Sequence, residues 1–442
     1  MTSNIQTRSL KGRGTKRILP KEDDVVDVKK LDVKKMDCSP KFAAAKAFPS
    51  VVGIVSRHLP YEMSYLPENP RSVKYRLSKG EIKRRGELVF WGSGIIYESH
   101  RDDDDDDDDN DDETTLNYFT SIIICPAILF VRSNGLDPSD IQVDVCLWDG
   151  KACQGRVIAC DFHYNLAAIR IQTPCQLPTA TLRNLDDVVP LNHTPIQQKQ
   201  LQQQHRPPLR AHSTKFNISP ETPLITISRS LRPLNAHSVG SGVFTTLGWN
   251  KELDYSELYW VKDNNHPEDK GGAVINYLGE VIGLMFYKSS FLPINLVSTW
   301  WRNFKSCRQY HRPCIGMKFV NLHATPTKST NYVRKLLAVF PDFTGGVVVT
   351  KAAKDSAAYA SGIRCNDVIV KCDGKLVRSS LELFEIVWNK VGIEYVELKV
   401  LRVSNGETLE LSLKVEQTPP DKFYQWKKTH WDIIKPGHTG ID

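Results

Sequence analysis

The sequence lacks the features that would place the protein in a membrane or in an oxidising compartment. Its apolar runs are much shorter than the ~20 residues that cross a bilayer. Its first residues are charged and are not followed by the apolar segment of a secretory signal. The ten cysteines include no Cys-x-x-Cys pair. We therefore expect free, buried thiols in a soluble intracellular protein of the nucleus or cytoplasm, with import into an organelle left open.

Three cysteines recur every seven residues, at Cys146, Cys153 and Cys160. On β-strands a step of seven reverses the face of the sheet, so the three thiols do not share a metal-binding face. We predict no metal site and no cofactor.

Charge is distributed unevenly along a chain whose net charge is +7. Residues 1–48 are basic, poor in aromatics and without hydrophobic periodicity, which predicts a disordered basic arm. The cluster Lys11–Arg17 fits a nuclear-import patch, although such clusters are common by chance. No nucleic-acid-binding motif accompanies the basic excess, so nucleic acid is not an expected partner.

Two low-complexity segments interrupt the chain. Residues 101–113 hold an acidic insert, and mutual repulsion predicts a solvated loop on the tip of a β-hairpin. A calcium loop is the alternative, but the glycine and the alternating ligands of such a loop are missing. Residues 191–215 are rich in Gln and Pro, which is typical of a linker.

Most of the remaining chain has the patterns of β-strands. Residues 141–147 alternate between apolar and polar side chains and end at an Asp149-Gly150 turn. The apolar runs 273–275 and 281–286 flank a Leu278-Gly279 turn, which predicts a β-hairpin.

Four segments of this β-rich region carry a family resemblance. They are Ser50–Val55, Gly92–Ile96, Asp161–Ile171 and Asn265–Gly283. In this order they resemble the first strand, the G-S-G-F-I strand, the D-x-x-x-D-L-A-V-L strand and the nucleophile loop of the HtrA/Deg (protease Do-like) trypsin-like serine proteases. The resemblance implies a mainly β fold, a chymotrypsin/trypsin-like double antiparallel β-barrel followed by an α+β PDZ domain.

The catalytic residues of that family are replaced here. The resemblance places the nucleophilic serine at Lys270, the carboxylate at Asn165 and the general base at Ile128, while a rival frame over residues 119–123 also ends on isoleucine. Glu268, next to Asp269, occupies the oxyanion-loop glycine position, where a negative charge opposes an oxyanion. A serine nucleophile needs an imidazole and a carboxylate. The resemblance therefore implies a catalytically degenerate, plant-type member.

The last third of the sequence resembles the PDZ domain that follows the protease in this family. Residues 312–317 resemble its carboxylate-binding loop, and residues 355–363 and 366–370 resemble later motifs. Asn366 stands at a glycine position and is expected in the left-handed conformation. A helix over residues 380–390 and two strands over residues 394–403 and 407–415 complete the predicted domain. The resemblance implies a peptide-binding groove lined by Cys314, Ile315, Gly316, Met317, Phe319, Leu381, Phe384 and Val387.

Together these features predict a sequence of domains. They are a basic arm (1–48), a first barrel (49–190), a linker (191–215), a second barrel (216–308), a PDZ domain (312–416) and a C-terminal tail (417–442). A helix over residues 297–305, with Trp300, Trp301 and Phe304, is predicted to pack in the core.

We expect a pseudoprotease scaffold that binds C-terminal or extended peptides of other proteins. The alternative is an active serine endopeptidase with an unrecognised nucleophile. The resemblance also implies a homotrimer.

Overall fold

The structure of the protein is a computed structural model. It describes residues 39–58, 82–84, 87–101, 118–130, 141–162, 164–188, 215–230, 236–245, 259–263, 271–287, 289–307, 313–322, 329–343, 345–390 and 395–417. These residues belong to one unit, Cys38–Asp442.

The first barrel follows directly from the alternating strands. Its strands are β1 (Val51–His58), β2 (Ile82–Arg84), β3 (Glu87–Arg101), β4 (Phe119–Cys125), β5 (Gln142–Cys146), β6 (Ala152–Asp161) and β7 (Leu166–Thr173). They are ordered β1-β5-β6-β7-β4-β3-β2, and a β1–β3 pairing closes six of them into an antiparallel barrel. Every second residue of β5 points inward, where Val143 and Val145 join an apolar core.

The acidic insert joins two paired strands. Arg101, the last residue of β3, lies opposite Phe119, the first residue of β4. The connection is thus a β-hairpin, as predicted, while residues 102–117 lie outside the described part of the chain.

The second barrel is also six-stranded and closed. The strands of this region are β8 (Leu185–Asp186), β9 (Phe216–Asn217), β10 (Pro223–Ser230), β11 (Ala236–Thr245), β12 (Tyr259–Asp263), β13 (Ala273–Ile275), β14 (Val281–Tyr287) and β15 (Ser290–Pro293). The barrel order is β10-β11-β12-β15-β14-β13, and β8 and β9 lie outside the barrel. The predicted hairpin is present as β13–β14, with Gly279 of its turn at φ +76°. The parallel pairing of β8 with β9 brings together residues from before and after the predicted linker.

Arg229 of β10 connects the two barrels. Its guanidinium Nε donates a 2.8 Å hydrogen bond to the carbonyl of Val51 in β1, and its backbone N–H donates to Ser93 Oγ of β3 at 2.9 Å. The side chain is only 2% exposed, and burial lowers its pKa. Buried charges require such hydrogen bonds, so Arg229 fixes the position of one barrel against the other.

The prediction of disorder over residues 1–48 is wrong for residues 40–48, which are helical. Helix α1 (Pro40–Ala47) begins with Ser39 Oγ accepting from the backbone N–H of Phe42, and Pro40 is tolerated in the first helical turn. Ala43 is fully buried, and Lys46 donates a 3.0 Å hydrogen bond to the carbonyl of Leu278 in the β13–β14 turn. Contacts with the rest of the fold therefore stabilise a helix that the composition of these residues did not predict. Residues 1–38 lie outside the described part of the chain.

Helix α2 (Ile294–Cys307) follows β15 and begins earlier than predicted. Strand β15 ends at Pro293, and the helix begins at the next residue. The predicted packing role of Trp300, Trp301 and Phe304 is confirmed, since all three are buried and their rings contact one another.

The PDZ domain is a six-stranded sheet with helices on both faces. Its sheet runs β17-β18-β19-β21-β22, with β20 paired to β19. The elements are β16 (Pro313–Cys314), β17 (Met317–Asn321), α3 (Ser329–Val339), β18 (Val347–Ala352), α4 (Ala357–Ala360), β19 (Asp367–Cys372), β20 (Lys375–Leu376), α5 (Ser380–Trp388), β21 (Tyr395–Arg402), β22 (Glu407–Lys414) and β23 (Glu416–Gln417). Helix α3 was not predicted. Its Leu336 covers Val348 and Val368 on the face opposite α5.

The expectation of buried thiols holds only in part. The cysteines whose thiols the structure describes are all free. Cys125 and Cys372 are buried, and burial raises the pKa of Cys372 to about 12. Cys175 and Cys365 are exposed, so the expectation is wrong for these two.

Candidate functional site: a substituted catalytic cleft and a PDZ groove

Two of the three predicted catalytic positions are in direct contact. Asn165 follows the Asp161–Tyr164 turn and has a left-handed φ of +52°. Its Oδ1 accepts a 2.8 Å hydrogen bond from the backbone N–H of Ile128, and its carbonyl accepts from Ala127 N at 3.1 Å. Both side chains are buried. Neither an amide nor an aliphatic chain exchanges a proton near neutral pH, so this pair supplies no general base.

The rival frame places its isoleucine elsewhere. Ile123 lies in β4, is fully buried and belongs to the core inside the first barrel. Of the two isoleucines, Ile128 is thus the one that contacts Asn165.

The third position, Lys270, lies outside the described residues, as do Glu268 and Asp269. The next residue, Gly271, has φ +78°, and a Cβ on it would lie 2.2 Å from Cδ of Pro126 and 2.3 Å from the carbonyl oxygen of Ser93. Only glycine permits so close an approach. The loop after Lys270 therefore starts against Pro126, two residues before Ile128. The roles assigned to Lys270 and Glu268 stay predictions.

No group of His, Cys, Asp and Glu suited to a metal ion occurs among the described residues. His163 and His266, the histidines nearest in sequence to Asn165 and Lys270, are outside that part of the chain. The same described residues include no helix that is long and apolar enough to cross a membrane.

The PDZ groove lies between strand β17 and helix α5. Strand β17 is the edge of the sheet among the described residues, with β18 on its other side. The strand preceding it, β16, pairs with β23, which fixes the approach to the predicted carboxylate-binding loop at Cys314–Met317. An edge strand beside a helix is the geometry that accepts a peptide as an added strand.

The predicted lining residues divide into two groups by exposure. The buried group consists of Phe319, Leu381, Phe384, Val387 and Ile315. The ring centroids of Phe319 and Phe384 lie 4.9 Å apart across the groove. Cys314, Gly316 and Met317 are partly exposed. The apolar residues thus pack against one another, and a peptide side chain would reach them only if Phe319 or Phe384 moved.

Gly316 has a stronger structural requirement than the sequence suggested. Its φ is +66°, and a Cβ there would lie 2.1 Å from Cβ of Ser356. A bulky residue at this position would collide with Ser356, so we expect it to disturb the fold of the domain as well as the loop. The left-handed conformation expected for Asn366 is observed, with φ +70°.

A buried polar cluster joins the PDZ domain to the second barrel, and sequence reasoning missed it. Asp187 Oδ2 accepts hydrogen bonds from Tyr259 Oη of β12 and from Asn321 Nδ2 of β17. Asn321 Oδ1 in turn accepts from the backbone N–H of Ser380 at 2.5 Å and from its hydroxyl at 2.7 Å. No described group lies in hydrogen-bonding geometry to the other Asp187 oxygen, although the nearby Ser379 side chain favours the charged form. Burial raises the pKa of Asp187, because the charged form is poorly solvated there.

A ring contact links helix α5 to the turn that precedes Asn165. Trp388, at the end of α5, stacks on Tyr164 with ring centroids 4.9 Å apart. Tyr164 directly precedes Asn165. In addition, Asn295 of α2 donates to Glu385 of α5 at 2.8 Å. Helix α5 therefore packs between the PDZ sheet and the barrels.

The sequence is similar to those of Do-like proteases. A PDZ-domain family model matches residues 313–415. Putative protease Do-like 14 of Arabidopsis thaliana is 26% identical over 314 residues, which cover 68% of this chain and 63% of that protein. Serine protease Do-like HtrB of Bacillus subtilis is 28% identical over 210 residues, covering 43% of this chain and 44% of that protein.

A solved structure of the HtrA-type protease AlgW with a tripeptide aligns to 86% of this chain and 98% of its own, with 17% identity and a TM-score of 0.48. The chain spans less than two thirds of the length of either Do-like relative. Taken together, these matches show that the chain carries a PDZ domain and is similar to the Do-like proteases of the HtrA/Deg family.

Proposed function

We propose that this protein is a pseudoprotease, a peptide-binding scaffold that does not hydrolyse its ligands. The observation that carries the proposal is the hydrogen bond between Asn165 Oδ1 and the backbone N–H of Ile128. It supports the pairing of these two positions as the former carboxylate and general base. At those positions the chain has an amide and an aliphatic side chain, so a nucleophile at position 270 would have no base to accept its proton.

The proposed binding activity belongs to the PDZ groove. A peptide would add alongside β17, the edge strand of the described sheet, and the backbone N–H groups of Ile315, Gly316 and Met317 would hold its terminal carboxylate. The left-handed conformation of Gly316 supports this role, because a residue of positive φ lets successive backbone N–H groups converge on an anion. The last side chain of the peptide would be apolar and would enter between Phe319 and Phe384, which makes opening of the groove part of binding.

The relatives are named as proteases, so activity is the alternative to be tested. The full chain is incubated with fluorescent casein and with a fluorophosphonate serine probe, beside an active Do-like protease as the positive control. We expect neither hydrolysis nor labelling, and none with Lys270→Ser alone, since no base is restored. Serine labelling of the unmodified chain, together with casein hydrolysis that the probe abolishes, would refute the proposal.

The homotrimer implied by the family resemblance is a separate part of the proposal. Light scattering of the same preparation measures it, and a mass near the 50.1 kDa of one chain would exclude it.

A further inference from the structure

Two lysines lie directly opposite each other at the edge of the PDZ sheet. The β17–β18 register pairs Lys318 with Lys351. Like charges placed opposite one another on neighbouring strands destabilise a sheet. Burial, and to a lesser extent the charge of Lys351, lowers the pKa of Lys318. The next charged residues of the chain, Lys354 and Asp355, cancel one another. Lys318 and Lys351 thus place two positive charges at this strand edge.

The two lysines face away from the apolar groove. Successive side chains of a strand alternate between faces, and Phe319 points toward Phe384 of α5. Lys318 therefore projects from the opposite face. Lys351 lies opposite Lys318 and shares that face, because the β17–β18 register shifts between Lys318 and Phe319. A strand added at the β17 edge continues the same alternation.

The register of an added peptide follows from the position of the carboxylate-binding loop. With its carboxylate at Ile315–Met317, the peptide runs antiparallel to β17, because β17 leads away from that loop. Its last residue then lies opposite Met317 and directs its side chain into the groove. The residue before it lies opposite Lys318 and directs its side chain toward the lysine pair.

We propose that the PDZ groove selects peptides with an acidic side chain, Asp or Glu, at the position before the last residue. This inference rests on the proposed peptide binding and names the class of ligand. A carboxylate at that position would lie one strand from Lys318 and two strands from Lys351, and it would relieve the repulsion between them. Lys318 has contacts of its own, but an ammonium group carries three donors and accommodates a further acceptor.

Lysines on an edge strand have a second common role, which is to prevent sheets from associating edge to edge. That role makes no distinction between acidic and neutral peptides.

The experiment therefore uses two pools of fluorescein-labelled heptapeptides with a free carboxylate and Leu as the last residue. One pool has Glu before the Leu, the other has Gln, and the remaining positions are randomised. Binding to the full chain is measured by fluorescence polarisation at 0.05 M and 0.5 M salt.

We expect the Glu pool to bind roughly two- to fivefold more tightly than the Gln pool at low salt, the range of an opposite-charge cross-strand pair. The preference should shrink at 0.5 M salt and disappear in the variant Lys318→Gln/Lys351→Gln. The matched control is Lys399→Gln, which removes the same charge from β21, three strands along the sheet order. This variant should keep the preference.

The outcomes separate this inference from the function on which it rests. Equal binding of both pools, with loss of binding on amidation of the peptide carboxylate, would refute the acidic preference and leave peptide binding intact. A Glu preference that persists in the double variant would refute the assignment to these lysines. Binding of neither pool would contradict both the inference and the proposed function.

Discussion

Replacing Asp187 should weaken the connection between the PDZ domain and the barrels. Asp187→Ala removes the acceptor of two buried donors, Tyr259 Oη and Asn321 Nδ2. An unsatisfied buried donor costs about 1–3 kcal/mol. Two such donors would cost about 2–6 kcal/mol, partly offset because a poorly solvated carboxylate is also lost. Asn321 would at the same time lose the fixed orientation in which it holds Ser380 at the start of α5.

The charge of Asp187 gives this prediction a pH dependence with a definite sign. Burial raises its pKa in the folded state, so the folded protein binds this proton more tightly than the unfolded chain. The contribution of Asp187 to stability is therefore fully present below the unfolded pKa of about 3.9 and declines as the pH rises through the folded pKa. Asp187→Asn keeps an acceptor oxygen but does not become charged as the pH rises. The free energy of unfolding of Asp187→Asn, relative to the unmodified protein, should therefore increase between about pH 4 and pH 7.

Two measurements on the full chain examine these expectations. Denaturant unfolding at several pH values follows the stability of the three proteins, and hydrogen exchange follows β17 and α5 locally. Faster exchange of both elements is expected in Asp187→Ala. A constant difference between Asp187→Asn and the unmodified protein across the pH range would refute the reasoning about the charge. Unchanged exchange in Asp187→Ala would refute the structural role.

Substitutions at Gly316, Asn366 and Trp388 test the local structure of the PDZ domain by thermal unfolding of the full chain. Gly316→Ala should lower the melting temperature, because it strains a positive φ and meets Ser356, and Ser356→Gly should partly restore it; no loss in Gly316→Ala would contradict the close approach. Asn366→Gly should be tolerated, while Asn366→Val should cost about 1–2 kcal/mol in the left-handed conformation; equal stability of these two variants would contradict that conformation. Trp388→Ala should cost about 3–5 kcal/mol, much more than Trp388→Phe, which keeps a ring to stack on Tyr164; equal losses would show that the stacked ring contributes nothing.

The sequence was most informative where a local rule decides the structure. The Leu278-Gly279 turn between two apolar runs led to the β13–β14 hairpin, and the left-handed Asn366 followed from the few residue types that tolerate a positive φ. The resemblance placed both Ile128 and Asn165 at catalytic positions, and these two residues are in contact in the structure.

The missed features depend on contacts between distant parts of the chain. Asp187 meets Tyr259 across 72 residues and Asn321 across 134, and no local pattern around Asp187 announces such a pairing. Helix α1 has the same explanation, since its eight residues gain stability from burial of Ala43 and from the hydrogen bond of Lys46. Isolated helices of that length are marginal in water, so composition alone favours disorder. The sequence also did not predict that Phe319 packs on Phe384 and closes the groove. The resemblance indicates which residues line a groove and not whether the groove is open.

Titration of the full chain with one selected peptide in two forms tests the proposed function most directly. One form has a free C-terminal carboxylate, and the other is amidated at that position. The free-acid peptide should bind with a dissociation constant on the order of micromolar, about 8 kcal/mol, and the amidated peptide at least about tenfold more weakly, since a charge-assisted hydrogen bond is lost. Equal affinity for the two forms would show that the groove at Ile315–Met317 does not recognise a peptide end, and would contradict the account.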